Sequence, residues 1–205
     1  MITIGTAYGV ALNDRTELAT HEAAFRESPY GAPPRAPVVY IKPAACFSFN
    51  SAKLVLPAGE TALKLSPTIA LFFGCNSAGD GLNAITASAL ALDVSLPGGD
   101  YYRPDIARRC RDGFLPLGEF GSAGLPDEIV TSVDDTIVHR WSLSRLVRDP
   151  ATLIADLSGF MTLRAGDVLL VGLPGDAPIA HAGQRIKVEA TNMAPLVTHI
   201  VGEAA

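Results

Sequence analysis

Apolar residues fall in short runs along this chain, and most runs end at glycine, proline, asparagine or aspartate. Residues 2–12 (ITIGTAYGVAL) make a β-rich run that stops at Asn13-Asp14. Asp14 or Thr16 then stands where a cap would open a short helix reaching Glu27, with Leu18, Ala19, Ala23 and Phe25 on its apolar side. Residues 28–34 (SPYGAPP) predict a loop or lid, because proline removes a donor and restricts the residue before it.

Strand patterns follow. Val38 to Ile41 reads as a strand closed by Lys42-Pro43, with others over 52–56 and 68–73, the latter continuous enough to be buried on both faces. A helix over 79–89, opened by Asp80, leads into a central strand, 89–94, that carries an acid, Asp93, at its end. A short extended piece covers 114–117. Residues 128–133 and 136–141 flank Asp134-Asp135 and predict a hairpin. Asp149-Pro150 predicts a helix running to about Met161 that buries Leu153, Ile154, Leu157 and Phe160. Strands at 168–173, 184–190 and 196–201 finish the chain, and no internal repeat is visible. The pattern is mostly β with short helices (α+β), in a single domain over 1–205.

Composition narrows the function classes. Hydrophobic residues make up 48% and charged residues 18%, enough for a sizeable core and against disorder. The net charge of -5 disfavours nucleic acid, which needs a basic surface. Cys46, Cys75 and Cys110 lack metal-type spacing and suit a reduced compartment, so the expected location is cytoplasmic. No apolar run approaches membrane-spanning length, so no membrane association is expected. The four histidines are scattered, no G-x-S-x-G elbow is present, and no glycine-rich nucleotide loop precedes a helix.

Chemical information concentrates in 89–118, ALALDVSLPGGDYYRPDIARRCRDGFLPLG. A strand delivering Asp93 to its end precedes a tyrosine pair and four arginines between Arg103 and Arg111. Fixed cations beside apolar walls build a pocket for an anionic substrate. The alternative is a solvated helix whose arginines are balanced by Asp100, Asp105 and Asp112. Cys110, between Arg109 and Arg111, would be acidified if exposed, although a packing cysteine is the commoner case.

Several tracts resemble the fumarylacetoacetate hydrolase superfamily: GVALN (9–13), SPYGAPPRAPVVYIKP (28–43), ALDVSLP (91–97), YYRPDIARRCRDGFLPLG (101–118), LSGFMTLRAGDVLLVGLP (157–174) and the terminal QRIKVEA…PLVTHIV. Within it, the chain is most similar to the amino-terminal half, or first subunit, of the isomerase/decarboxylase branch of homoprotocatechuate (4-hydroxyphenylacetate) catabolism. The resemblance implies a mixed β roll or sandwich. It also implies decarboxylation of 5-carboxymethyl-2-oxo-hex-3-ene-1,7-dioate and isomerisation of 2-hydroxyhepta-2,4-diene-1,7-dioate. A small-molecule dicarboxylate and a homodimer, or a heteromer with a homologous subunit, are the implied partners.

Family chemistry uses a divalent cation, usually Mg²⁺, that chelates a 2-oxo acid and stabilises its enolate. The resemblance places one metal ligand at Asp93, while Ser66 and Thr68 stand at the positions of two family glutamates, so metal is expected to be weak or absent here. Glu17 occupies the position of a family histidine, and Arg109 that of a family lysine. The implied catalytic set is Asp93, Arg109 and Glu17, with Arg103, Arg111, Tyr102 and Lys42 binding substrate. An alternative is a degraded, non-enzymatic partner of a metal-binding homologue, and a third reading is a plain dicarboxylate-binding module.

Overall fold

A computed structural model describes residues 3–28, 30–77, 81–98 and 106–203. Its strands begin with β1 (Ala7–Ala11), β2 (Val38–Lys42), β3 (Phe47–Phe49), β4 (Lys53–Leu56), β5 (Leu63–Phe73), β6 (Ile85–Ser95) and β7 (Leu115–Leu117). They continue with β8 (Gly121–Ser122), β9 (Glu128–Val133), β10 (Thr136–Ser142), β11 (Val168–Leu170), β12 (Ile179–Ala180), β13 (Arg185–Ala190) and β14 (Leu196–Gly202). The helices are α1 (Arg15–Thr20), α2 (Glu22–Phe25), α3 (Ile106–Arg109) and α4 (Pro150–Ser158).

Among the described residues the strands form two sheets. One runs β2-β1-β11-β5-β6-β7-β3, with β12 added to β5 and β8 to β6; the other runs β10-β9-β13-β14-β4. Alternation along the long strands β5 and β6 explains how they are placed. Leu63, Leu65, Ile69, Leu71 and Phe73 on β5, with Leu90, Leu92 and Val94 on β6, enter one core with Ile129, Trp141, Ile186, Val188 and Ile200 of the second sheet. Helix α4 closes that core with Leu153, Ile154 and Leu157. The intervening residues face the other side of the first sheet, where Ala7, Ala70 and Ala91 share a smaller apolar cluster with Leu115, Leu117, Val168 and Leu170.

That second face is concave. Strand β2 lies four places from β6 in the sheet, roughly 19 Å at the usual ~4.8 Å strand spacing. Yet Tyr40 and Lys42 of β2 both contact Asp93 of β6. Only a sheet curled into a roll brings these strands together, with the face that carries Tyr40, Lys42 and Asp93 inside. The expected mixed roll is therefore present.

The predicted elements hold with instructive exceptions. Of the helix expected over 79–89, a single 3-10 turn over Gly81–Ala84 forms, while Ile85 to Ala89 already belong to β6 and pair with Ala70 to Phe73 of β5; residues 78–80 lie outside the described set. A Cβ on Gly74 would sit 2.4 Å from the Thr86 side chain, so glycine there makes room for the strand. Phe160 falls beyond the end of α4 and is 70% exposed, not buried, because the helix stops at Ser158. The helix after Asp14 is broken at His21 into α1 and α2. The hairpin at Asp134-Asp135 is formed with φ values of 48° and 62°, the left-handed pair that its tight turn requires. Among the described residues no helix is long and apolar enough to cross a membrane.

Candidate functional site

Cross-strand register places the polar residues of the roll interior. Ser66 is paired directly with Asp93, and Thr68 with Ala91, so Ser66, Thr68 and Asp93 face the same side of the sheet. Lys42 pairs with Ala7 and Tyr40 with Gly9 on β1, which puts both on that face too. A Cβ at Gly9 would lie 2.1 Å from Tyr40 Cζ, so the bare backbone of Gly9 lets the phenol ring lie across β1 towards Asp93.

Asp93 is fully buried and both its oxygens are engaged. The Tyr40 hydroxyl donates to Oδ2, and Lys42 Nζ stands 2.9 Å from Oδ1 in an ion pair whose angle is not that of a hydrogen bond. Lys42 is itself sealed from solvent and donates to the carbonyls of Val94, Arg109 and Phe114. Its ammonium thus ties the edge of the roll to β6 and to the segment after it, and no part of it faces solvent. Burial and the neighbouring Asp93 charge push the Tyr40 hydroxyl well above its ordinary pKa, so it stays protonated and keeps donating.

Arg109, the last residue of α3, lies over the Tyr40 ring with its guanidinium carbon 4.8 Å from the ring centre. Burial opposes its charge, but Asp93, Tyr40 and Glu17 around it hold its pKa above the usual value. Its Nη1 is buried without a hydrogen-bond partner among the described residues, as is the Thr68 hydroxyl. Glu17, on α1, accepts from the Leu12 N–H at 2.6 Å and lies within electrostatic reach of Arg109. Burial pushes its carboxyl up to about 7, against the pull of that N–H, Arg109 and Lys64.

The helix carrying Glu17 is fixed from behind. Asp14 caps α1 by accepting from the Thr16 and Glu17 N–H groups, and also accepts from Trp141 Nε1, the Gly175 N–H and the Arg145 guanidinium. Arg145 extends to Asp176, which meets His139. The Gly175 turn sits so close that a Cβ there would be 2.3 Å from Glu17 N. Sequence reading found the cap, but had no signal for partners 127 to 161 positions away.

Of the expected residues, Asp93, Arg109 and Glu17 come together, with Lys42 beside Asp93. Ser66 and Thr68 face the same interior. Arg111 does not join them: its Nε donates to the Ala107 carbonyl, and its side chain lines a separate depression with Val55, Pro57, Phe114 and Glu203. Tyr102 and Arg103 lie outside the described residues. Tyr40 was not anticipated, because nothing in the spacing of VVYIKP marks a phenol aimed across a neighbouring glycine. Cys110 is half-buried, its thiol directed at the Ile41 carbonyl. Burial pushes the Cys46 thiol up to about 11.

The roll and its internal polar cluster define the class. This chain belongs to the fumarylacetoacetate hydrolase family, whose model, described as "Fumarylacetoacetate (FAA) hydrolase C-terminal", matches residues 6–201. It is 37% identical to the 4-hydroxyphenylacetate degradation bifunctional isomerase/decarboxylase of Escherichia coli and 36% identical to that of Salmonella dublin, over 97% of this chain and 48% of each relative. The chain thus spans about half the length of these curated relatives. In fold it matches a 5-carboxymethyl-2-hydroxymuconate delta-isomerase from Mycobacterium smegmatis, with a TM-score of 0.80 and 21% identity over 98% of this chain and 78% of that one. A fumarylpyruvate hydrolase from Pseudomonas aeruginosa, solved with Mn²⁺ and pyruvate, gives a TM-score of 0.80 and 19% identity over 98% and 91%.

Proposed function

We propose that this chain takes part in the isomerase/decarboxylase chemistry of 2-oxo dicarboxylates from aromatic catabolism. The single observation that supports this most is the placement of Arg109. A cation with a buried N–H that has no partner among the described residues lies within electrostatic reach of a carboxyl that burial pushes up to about 7. Decarboxylation breaks a C–C bond, releases CO₂ and leaves the electron pair in a dienolate conjugated with the 2-oxo group. The dienolate oxygen takes up one proton from solvent to give the 2-hydroxydiene, and isomerisation then moves a proton from that enol oxygen to carbon. Arg109 would stabilise the enolate oxygen, and Glu17 would carry the proton, a task suited to a group titrating near the working pH. Asp93, Tyr40 and Lys42 would hold the wall against which substrate packs.

The donor set does not fit the family's divalent cation. Hard cations take several anionic or carbonyl oxygens, whereas here one carboxylate is already held by an ammonium and a phenol, next to two hydroxyls. Among the described residues no three His, Cys, Asp or Glu side chains gather. The same crowding of Asp93 favours a second reading, a non-catalytic partner that completes a metal-binding homologue. Relatives about twice as long support pairing with a homologous unit, either a separate subunit or a further part of one polypeptide.

Turnover of 5-carboxymethyl-2-oxo-hex-3-ene-1,7-dioate by the purified chain, unaffected by chelator, is the expected result. Absence of turnover alone, with activity restored to a homologous metal-binding subunit on mixing, would establish the partner reading instead.

A further inference from the structure

Strand β5 carries a row of polar side chains on the inner face of the roll, and its first member is a lysine. Leu63 and Leu65 both enter the core between the sheets, so Lys64, between them, faces the opposite side, into the roll. The same alternation puts Ser66 and Thr68 behind it, and β6 presents Ser95, Asp93 and Ala91 directly across from the three. Successive members of the row stand about 6.8 Å apart along the strand. The row runs from half-buried Lys64 to fully buried Thr68, whose hydroxyl has no hydrogen-bond partner among the described residues. Lys64 is therefore the outer end of this polar face.

Backbone contacts set that outer end beside the helix of Glu17. The turn after β11 touches both: a Cβ on Gly175 would lie 2.3 Å from Glu17 N, and the Pro178 carbonyl accepts from the Leu65 N–H at 2.9 Å, just before Ile179 pairs with Lys64. On the other side of β5, Ser66 opposes Asp93, which holds Tyr40 beneath Arg109. The three described cations of this face differ in what they can still bind. Lys42 is sealed and bonded to Asp93 and three carbonyls. Arg109 is stacked on Tyr40 with a buried Nη1 left over. Lys64 is only half-buried, and no described residue accepts a hydrogen bond from its ammonium. Glu17 acts on it through space without forming an ion pair, its Oε2 being taken by the Leu12 N–H.

We propose that Lys64 is the specificity-determining residue of this site, its ammonium receiving the carboxylate remote from the 2-oxo group while Arg109 serves the reacting end. This rests on the assignment of the substrate to the inside of the roll, and adds what selects a dicarboxylate over a monocarboxylate there. A dianion needs a cation for each end, and burying both ends deep in the roll would cost more desolvation than it returns. A stacked guanidinium fixes one end, and a lysine at the outer end meets the other where water still helps to solvate it.

Calorimetric titration with 2-oxoheptanedioate and 2-oxoheptanoate isolates the remote carboxylate, because the two share a carbon chain and neither is activated for loss of CO₂. Wild-type protein is expected to bind the dioate at least ~10-fold more tightly at low ionic strength, with the preference shrinking as salt is added. Lys64→Met should bind 2-oxoheptanoate as wild type does and lose the preference. Lys64→Arg should keep it, and Lys64→Glu should reverse it. Equal affinities in wild type, a preference that survives in Lys64→Met, or loss of both ligands together from Lys64→Met and Lys64→Glu overturns the inference. The assignment of substrate to the roll is read separately: Arg109→Ala, shown folded by near-ultraviolet circular dichroism, should lose both ligands. Undiminished binding by Arg109→Ala, or wild-type protein that binds neither ligand, removes that assignment and this role of Lys64 with it.

Discussion

Lys42 and Asp93 are ion-paired at 2.9 Å although their strands stand four places apart in one sheet. The pair marks where the sheet closes on itself, and neither partner is exposed. Removing one charge leaves the other buried without compensation. Lys42→Met is therefore expected to cost about 3–5 kcal/mol, measured by urea unfolding at neutral pH. Lys42→Met combined with Asp93→Asn should recover much of that loss, because the lone buried carboxylate is gone. A cost under about 1 kcal/mol, the range of exposed pairs, would show that the roll closes by other means.

Gly9 and Tyr40 form a second dependence. The phenol occupies the space that a Cβ on Gly9 would need, and its hydroxyl is held by Asp93. Tyr40→Phe loses one hydrogen bond to a carboxylate and should cost about 1.5–3 kcal/mol. Gly9→Ala should be at least as damaging, since the ring has to leave. The two effects should not add: in a Tyr40→Ala background most of the Gly9→Ala penalty should vanish, as a double-mutant cycle on unfolding free energies would show. Additive losses would mean that the ring is not what excludes the methyl group.

Much of this fold was legible because its strands are short, alternating and cut by turn residues. The Asp134-Asp135 hairpin and the Asp149 cap of α4 follow from local chemistry, and both form. The error over 85–89 arose where local pattern is ambiguous, since ITASALAL suits a helix or a doubly buried strand, and only pairing with β5 decides between them. The same limit applies to the site. Asp93 was readable as an acid closing an apolar run, and Arg109 as one of several arginines. Which arginine turns inward depends on the curl of the sheet, and Arg111, two positions on, ends in another depression. Tyr40 and the clamp behind Glu17 are products of tertiary contact alone.

That clamp has an acid signature. Arg145 holds Asp176 down to about 2, and its bonds, with those from Trp141 and the backbone, keep Asp14 below the usual carboxylate range despite burial. The native state therefore binds fewer protons than the unfolded chain between those values and about pH 4. The contribution is complete above the unfolded pKa and is lost as pH falls through the native values. Trp141, the single tryptophan, donates to Asp14 and reports on it. Its fluorescence should stay constant from pH 7 to about 4 and change on further acidification. Arg145→Met should move that change to higher pH. An unaltered acid midpoint in Arg145→Met would remove the guanidinium from the support of α1.

The catalytic reading separates residues that lie close in sequence. Arg109 lies over the Tyr40 ring inside the roll, within electrostatic reach of Asp93 and Glu17, while Arg111 lines a depression with Val55 and Glu203. Losing one preorganised donor to an enolate costs ~2.7–4 kcal/mol of barrier, or roughly 10²–10³ in rate. Arg109→Ala should lose that much kcat, and Arg111→Ala should remain within a few-fold of wild type. Glu17→Gln removes the proton carrier and should lower kcat by ~10²–10⁴. In wild type, kcat should show an ionisation near 7, the value to which burial pushes the Glu17 carboxyl. That ionisation should be missing from whatever activity Glu17→Gln retains. If Arg111→Ala proved as damaging as Arg109→Ala, the interior of the roll would not be where substrate meets its cation, and the depression beside Val55 would take its place.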